Sequence, residues 1–337
     1  MIGLDLSSKG QVHESFNAAL MQYRFIETLY CLQSHKKCLQ QFPNVETSAI
    51  HGVPDWIAYF RVIKLILAFL IILKHFKKRI VFLTIEVEHF SLLPFLGLIG
   101  TQIVFFSHSL PMRYAASSRT RKFLQVVFFF LTKTDKHSTI CIVHKFASFD
   151  CHFVKEFASS VFDVRYISHP IATCFIQSSK NRRLNTKRRV LFLGTARVGK
   201  GFERFQSLSE TISSCEFVHA FDSGNKNSGV PSRTGSEIKN LLISGPLADN
   251  IMPEDIVFNM HDKNIYDTVP SGVFFDAISA RAWILQHTNT NVDEIHRKFF
   301  RIVDLGNDLE LLKQKGKTFS VFVEKEYQGL KAELCYV

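Results

Sequence analysis

The stretch of this 337-residue chain richest in chemistry is Gly194-Thr-Ala-Arg197-Val-Gly199-Lys200-Gly201, set between the apolar run RRVLFL and the helical pattern FERFQSL. Glycines at a strand-to-helix turn let the backbone approach a ligand, and the helix start offers unpaired N–H groups and the positive end of the dipole. Arg197 and Lys200 add two cations at the same place. Together these groups suit a pyrophosphate. Two other readings compete. Gly194 to Lys200 fits G-x-x-x-x-G-K, the first part of a P-loop, and FVHAFD ending at Asp222 imitates the acidic strand of such ATPases. Gly201, however, stands where a P-loop carries the hydroxyl that holds magnesium. The plainer reading is a turn with incidental basic residues.

A second cluster follows the apolar run DIVFNM. Pro270-Ser271-Gly272 opens a helical segment, Val273 to Ala280, and Ala282–Leu285 returns as a strand. A Ser-Gly at a helix start beyond the carboxyl end of a strand is another place for a phosphate or a sugar.

The elements that must position these residues alternate along the chain. Strand candidates are Ile2–Leu6, Ile80–Ile85, Ile103–Ser107, Thr139–Val143, Val164–Ile167, Arg189–Leu193, Glu216–Ala220, Leu241–Ser244, Asp255–Asn259 and Ala282–Leu285. Helical segments lie between most of them, among them Phe16–Leu32, Trp56–Phe76 and Thr120–Leu131. Buried apolar strands alternating with helices predict an α/β fold with parallel sheets. Ser178 to Arg189 (SSKNRRLNTKRR) breaks the alternation: it is polar, holds six basic residues and no acid, and reads as a linker between two domains.

The bulk numbers agree with two globular domains: 46% hydrophobic, 21% charged residues and only 16 glycines and 9 prolines. The net charge of +11 favours a polyanionic partner, whether nucleic acid, an anionic membrane or a phosphorylated substrate. The basic run has no interleaved aromatics, which argues against nucleic acid. Seven cysteines in an odd, scattered set without Cys-x-x-Cys predict reduced thiols and no zinc site. The start MIGLDLSSKG lacks an apolar stretch behind a basic one, so no export signal is expected. Leu65 to Leu73 is about half the length of a spanning helix.

Both motifs together resemble the donor-binding domain of GT-B glycosyltransferases, closest to the large bacterial group that builds surface and capsular polysaccharides (a family 4-like group). In that group a Gly-x-x-Arg-x-x-Lys-Gly element follows the first strand of the second domain. The resemblance implies that Gly194, Arg197, Lys200 and Gly201 hold the donor pyrophosphate and that Ser271, Gly272 and Val273 complete the site. Fainter likenesses are Gly10 to Asn17 to the family's first glycine loop, Ile103 to His108 to its strand ending in a sugar-contacting His, and Tyr166 to Ile171 to the exit toward the second domain. Many relatives carry a pair of glutamates around the later loop. Here the second is Asp276, the first falls on Thr268 or Asp267, and Arg281 replaces a small residue.

The resemblance implies two Rossmann-like domains with parallel sheets facing a central cleft. The expected division is an acceptor-binding domain over 1–170, a basic linker over 171–189, and a nucleotide-sugar-binding domain over 190–320. A C-terminal helix over 321–337 is expected to cross back. The implied reaction moves a sugar from a nucleotide-diphosphate donor to a glycan or lipid-linked acceptor. The nucleotide sugar is a substrate, and no cofactor or metal is implied. Arg197 and Lys200 would stabilise the leaving pyrophosphate. Glu86, Glu88 and His13 are candidates for a base on the acceptor, Glu86 foremost, and His108 is the candidate contact to the donor sugar. Each of these also reads as an ordinary surface acid or a hydrogen-bonded His. Trp56 to Arg79 is apolar with a basic end, which reads as a core helix or as one lying at a membrane interface. A cytoplasmic protein that visits the inner membrane face is the expectation.

Overall fold

The computed structural model describes residues 1–7, 14–108, 118–131, 138–143, 161–167, 169–172, 188–196, 199–212, 215–222, 238–243, 250–260, 272–280 and 282–285. The chain divides into two compact units between Pro170 and Ile171. Seven strands belong to the first: β1 (Ile2–Asp5), β2 (Thr28–Leu32), β3 (Ile50–Val53), β4 (Ile80–Phe82), β5 (Ile103–Ser107), β6 (Thr139–Val143) and β7 (Asp163–Ile167). They form one parallel sheet in the order β3-β2-β1-β4-β5-β6-β7. The chain therefore winds outward from β1 to β3, then returns past β1 to β4 and on to β7. That reversal puts a crevice between the carboxyl ends of β1 and β4.

The inner face of this sheet is built by alternate strand residues: Ile2 and Leu4 on β1, Ile80 and Phe82 on β4, Ile103 and Phe105 on β5. Helices Arg61–Lys74, Leu93–Leu98 and Ser118–Leu131 cover that face through Ala68, Ile72, Leu96, Leu124 and Phe128. The segment Phe16–Leu32, expected as one helix, is helical only within Glu14–Gln22 and then becomes β2. Arg24 at φ 57° ends the helix, with the Phe25 and Ile26 N–H groups both donating back to the Leu20 carbonyl at 2.9 and 3.3 Å. The residues that follow, TLYCL, are β-branched and aromatic, which suits a buried strand. Trp56–Phe76 likewise divides at Phe60 into a 3-10 turn, Asp55–Tyr59, and the helix Arg61–Lys74.

The second unit carries β8 (Arg188–Leu193), β9 (Cys215–Asp222), β10 (Lys239–Ile243), β11 (Ile256–Phe258) and β12 (Trp283–Leu285). They form a second parallel sheet in the order β10-β9-β8-β11-β12, with its reversal between β8 and β11. Phe205, from the helix Phe202–Thr211, fills the core with its ring 5.3 Å from Phe217 and 5.4 Å from Phe258. The basic run ends differently from a plain linker, because Arg188 and Arg189 already belong to β8. Arg189 donates to both carboxylate oxygens of the fully buried Asp255, at 3.0 and 2.5 Å, and the Met252 N–H donates to the same carboxylate at 2.8 Å. Its charge is spent on tying β8 to the loop before β11. The rest of the run and the expected C-terminal helix lie outside the described residues.

Candidate functional site

In the second unit the glycine turn leaves β8 at the point where the sheet order reverses. Gly194, Gly199 and Gly201 have φ of 81°, 88° and 75°, a region that side chains other than glycine disfavour. The Gly194 N–H donates to the Ala220 carbonyl at 2.7 Å, which extends the β8–β9 ladder by one residue. The chain then turns back, and the Lys200 ammonium lies 3.4 Å from where a Cβ on Gly194 would stand. Gly201 caps the helix Phe202–Thr211 without any side-chain hydrogen bond to the helix start. A Cβ on Gly201 would meet the Met260 carbonyl oxygen, just past β11, at 2.3 Å. A serine or threonine there would force the turn and the end of β11 apart, which disfavours the magnesium-holding hydroxyl of a P-loop.

His219 supports the turn from beneath. It is 1% exposed on β9, and its Nε2 is 2.8 Å from the Gly194 carbonyl oxygen. In the tautomer with the proton on Nε2 it donates to that carbonyl, while Nδ1 is buried with no hydrogen-bond partner. Burial holds the imidazole below its ordinary range; the bond to Gly194 opposes this and the nearby Lys200 charge adds to it. The His219 ring lies between Phe192 at 5.5 Å and Phe202 at 5.1 Å, the residues on either side of the glycine turn. Sequence reading missed this residue. Its signal was a single His inside the apolar strand FVHAFD.

The second cluster forms the helix Gly272–Ser279 between β11 and β12, with Val273 to Ser279 all buried. Gly272, Asp276 and Ser279 fall on one face of it by helical spacing. Because β11 and β12 are parallel neighbours, the connection that carries this helix leaves from the carboxyl edge of the sheet, the edge that carries the glycine turn. Gly194, Lys200 and Gly201 are held together by direct geometry, and Gly272 opens the next helix after β11. Arg197 and Ser271 lie outside the described residues.

In the first unit, buried polar groups gather beyond the carboxyl ends of β1, β4 and β5. Asp5, fully buried at the end of β1, accepts from Ser7 Oγ at 2.7 Å and from Asn17 Nδ2 at 2.5 Å, and His35 Nδ1 lies 3.8 Å away. This network joins Ser7 to Asn17 through one carboxylate; His13 lies outside the described residues. Thr84 Oγ1 beyond β4 and Ser107 Oγ at the end of β5 are buried with no hydrogen-bond partner. His108 is 8% exposed, with Phe16 edge-on at 4.5 Å and the His169 ring at 6.1 Å. Glu86 is otherwise engaged. Its carboxylate pairs with Lys64, whose side chain is 3% exposed, and accepts the His89 N–H in a capping box, while His89 Nδ1 accepts the Glu86 N–H at 3.0 Å. Glu88 pairs with Arg61 at 3.1 Å. Both acids hold the Val87–Leu92 turn against the Arg61–Lys74 helix.

No family model matches the chain, and no curated protein does. Solved structures do. The crystal structure of Anabaena HepE in complex with UDP and glucose covers 99% of this chain and 92% of its own, at 12% identity and a TM-score of 0.57. An α,α-trehalose-phosphate synthase (UDP-forming) from Burkholderia xenovorans, in complex with glucose-6-phosphate, covers 99% and 96% at 11% identity and a TM-score of 0.51. With its two parallel sheets, each reversing at one switch point, the chain has the GT-B fold of these glycosyltransferases.

Proposed function

We propose that this protein is a glycosyltransferase whose second unit binds a nucleotide-diphosphate sugar and whose first unit receives the acceptor hydroxyl. The observation that carries the reading is the Gly194–Gly201 turn at the switch point of the second sheet. There the Lys200 ammonium folds over the turn at Gly194, beside a helix start with no side-chain cap. That is a ready site for a diphosphate. The ligands of the similar structures, UDP with glucose in one and glucose-6-phosphate in the other, support the same chemistry.

As the sugar leaves, negative charge builds on the diphosphate. Lys200 and Arg197 would meet it with charge-assisted hydrogen bonds, together with the first N–H groups of the Phe202–Thr211 helix. Ser271, Gly272, Val273 and Asp276 form the other wall of the donor site in this reading. Where the reaction inverts the sugar, a base must take the acceptor proton. Glu86 is tied into its ion pair and cap, which leaves His13 and His108 as the candidates for that role and for contact with the donor sugar. In this reading the acceptor is a glycan or a lipid-linked acceptor, and the product is part of a surface polysaccharide.

A thermal-shift screen of UDP-, GDP- and TDP-sugars, followed by measurement of released nucleotide diphosphate with candidate acceptors, tests the reading. One nucleotide class should raise the melting temperature by mass action and be released during turnover. No shift with any of them at millimolar concentration would overturn it.

A further inference from the structure

The strand β9 holds Gly194 by both of its backbone polar groups. The Gly194 N–H donates to the Ala220 carbonyl at 2.7 Å, and the Gly194 carbonyl oxygen lies 2.8 Å from His219 Nε2. His219 and Ala220 are adjacent on β9, in register with Phe192 and Leu193 of β8. A carbonyl only accepts, so His219 Nε2 carries the proton. Burial first, with the Lys200 charge assisting and the bond to Gly194 opposing, keeps the ring neutral near pH 7.

This histidine is a costly choice. Its Nδ1 is buried with no hydrogen-bond partner, whereas an apolar ring would pack among Phe192, Phe202 and Phe221 without that penalty. Nor is it needed to satisfy the carbonyl, because Gly194 is half-buried and water reaches the turn. What the imidazole supplies is direction: it fixes the carbonyl inward, toward the aromatic core.

We propose that His219 is a positioning residue for the diphosphate, turning the Gly194 carbonyl oxygen away from the phosphates and the opposite side of the same peptide, with the Thr195 N–H, toward them. The inference deepens the reading of this turn as a diphosphate site and rests on it. Among the described residues every peptide bond is trans, so the Gly194 C=O and the Thr195 N–H point in opposite directions across one plane. Gly194, at φ 81°, has no side chain to hinder rotation of that peptide. Without the bond from His219 the carbonyl is free to swing outward, where its partial negative charge opposes a phosphate. With the bond, donation into the carbonyl polarises the peptide and strengthens the N–H on its far side. Lys200, whose ammonium lies beside the same glycine, supplies the full charge.

Isothermal titration of UDP, GDP, TDP and inorganic pyrophosphate into the full chain tests the proposal. His219→Phe keeps a ring between Phe192 and Phe202 but has no proton to give. Any probe that binds the wild type should bind this variant about three- to tenfold more weakly, with the melting temperature little changed. His219→Gln offers an amide N–H at similar reach and should restore most of the affinity, although it packs worse among aromatic rings. A merely structural role predicts the reverse order, with affinity following the melting temperature. Heteronuclear NMR of the histidine-labelled wild type should show the ring neutral and protonated on Nε2. A neutral ring protonated on Nδ1 would overturn the inference. So would unchanged affinity in His219→Phe where Lys200→Ala weakens the same probe, and the diphosphate reading would then stand without it. Failure of every probe to bind the wild type would overturn both.

Discussion

Replacing Gly201 by alanine probes the joint on which the glycine turn depends. The residue sits at φ 75°, and a Cβ there would stand 2.3 Å from the Met260 carbonyl oxygen. Contacts of that kind do not come below about 3 Å, so the turn and the end of β11 must part by some 0.7 Å. The left-handed conformation costs alanine about 1–2 kcal/mol, and displacing a packed backbone carbonyl adds about 1–3 kcal/mol. Gly100 is a built-in control: its φ is 65°, but nothing lies within 4 Å of its Cβ position, so Gly100→Ala should cost the conformational part only. Trp56 lies in the first unit and Trp283 in the second, and they are the only tryptophans. Urea unfolding, with each variant followed by the tryptophan of its own unit in a background lacking the other, should show Gly201→Ala as the more damaging by about 1–3 kcal/mol. Equal costs would refute the close approach of the turn to β11.

Other consequences are as direct. Asp255→Ala leaves the half-buried Arg189 guanidinium without its carboxylate and should destabilise the second unit by about 3–5 kcal/mol. The double variant with Arg189→Met should recover part of that in a double-mutant cycle of urea midpoints. His89 makes the first unit sensitive to acid. Burial, and then the Lys64 charge, push its imidazole from an ordinary 6.5 down to about 4. As pH falls, the unfolded chain takes the proton first, so this contribution is complete above about 6.5 and is lost as pH drops toward about 4. The window of some two and a half units amounts to about 3 kcal/mol. His89→Gln keeps an acceptor for the Glu86 N–H and removes the titration, and should flatten unfolding free energy against pH across that window.

Much of the candidate site's backbone was legible because its residues are contiguous. Gly194, Lys200 and Gly201 sit within one turn, and the runs IVFFS and TICIV are apolar stretches of strand length that reappear as β5 and β6. What escaped depends on which strands become neighbours. His219 reaches Gly194 only because β8 pairs with β9, and Asn17 reaches Asp5 across a loop of no fixed pattern. Glu86 looked like a free acid beyond a strand end, whereas Lys64, which is 22 residues away and on an apolar helix, takes its charge. β2 was absorbed into the preceding helix because a fully buried parallel strand shows no alternation. The short β3, IHGV, carries too few apolar residues to announce itself. The apolar outer face of Arg61–Lys74 could be seen only once the inward direction was known.

The central claim is that the Gly194–Gly201 turn holds the diphosphate of a sugar nucleotide. Isothermal titration of UDP, GDP and TDP into the wild-type chain and into Lys200→Ala tests it most directly. One nucleotide should bind, and the substitution should weaken it by about 10–150-fold, the loss of one charge-assisted hydrogen bond of about 1.5–3 kcal/mol. An affinity unchanged in Lys200→Ala would contradict the account.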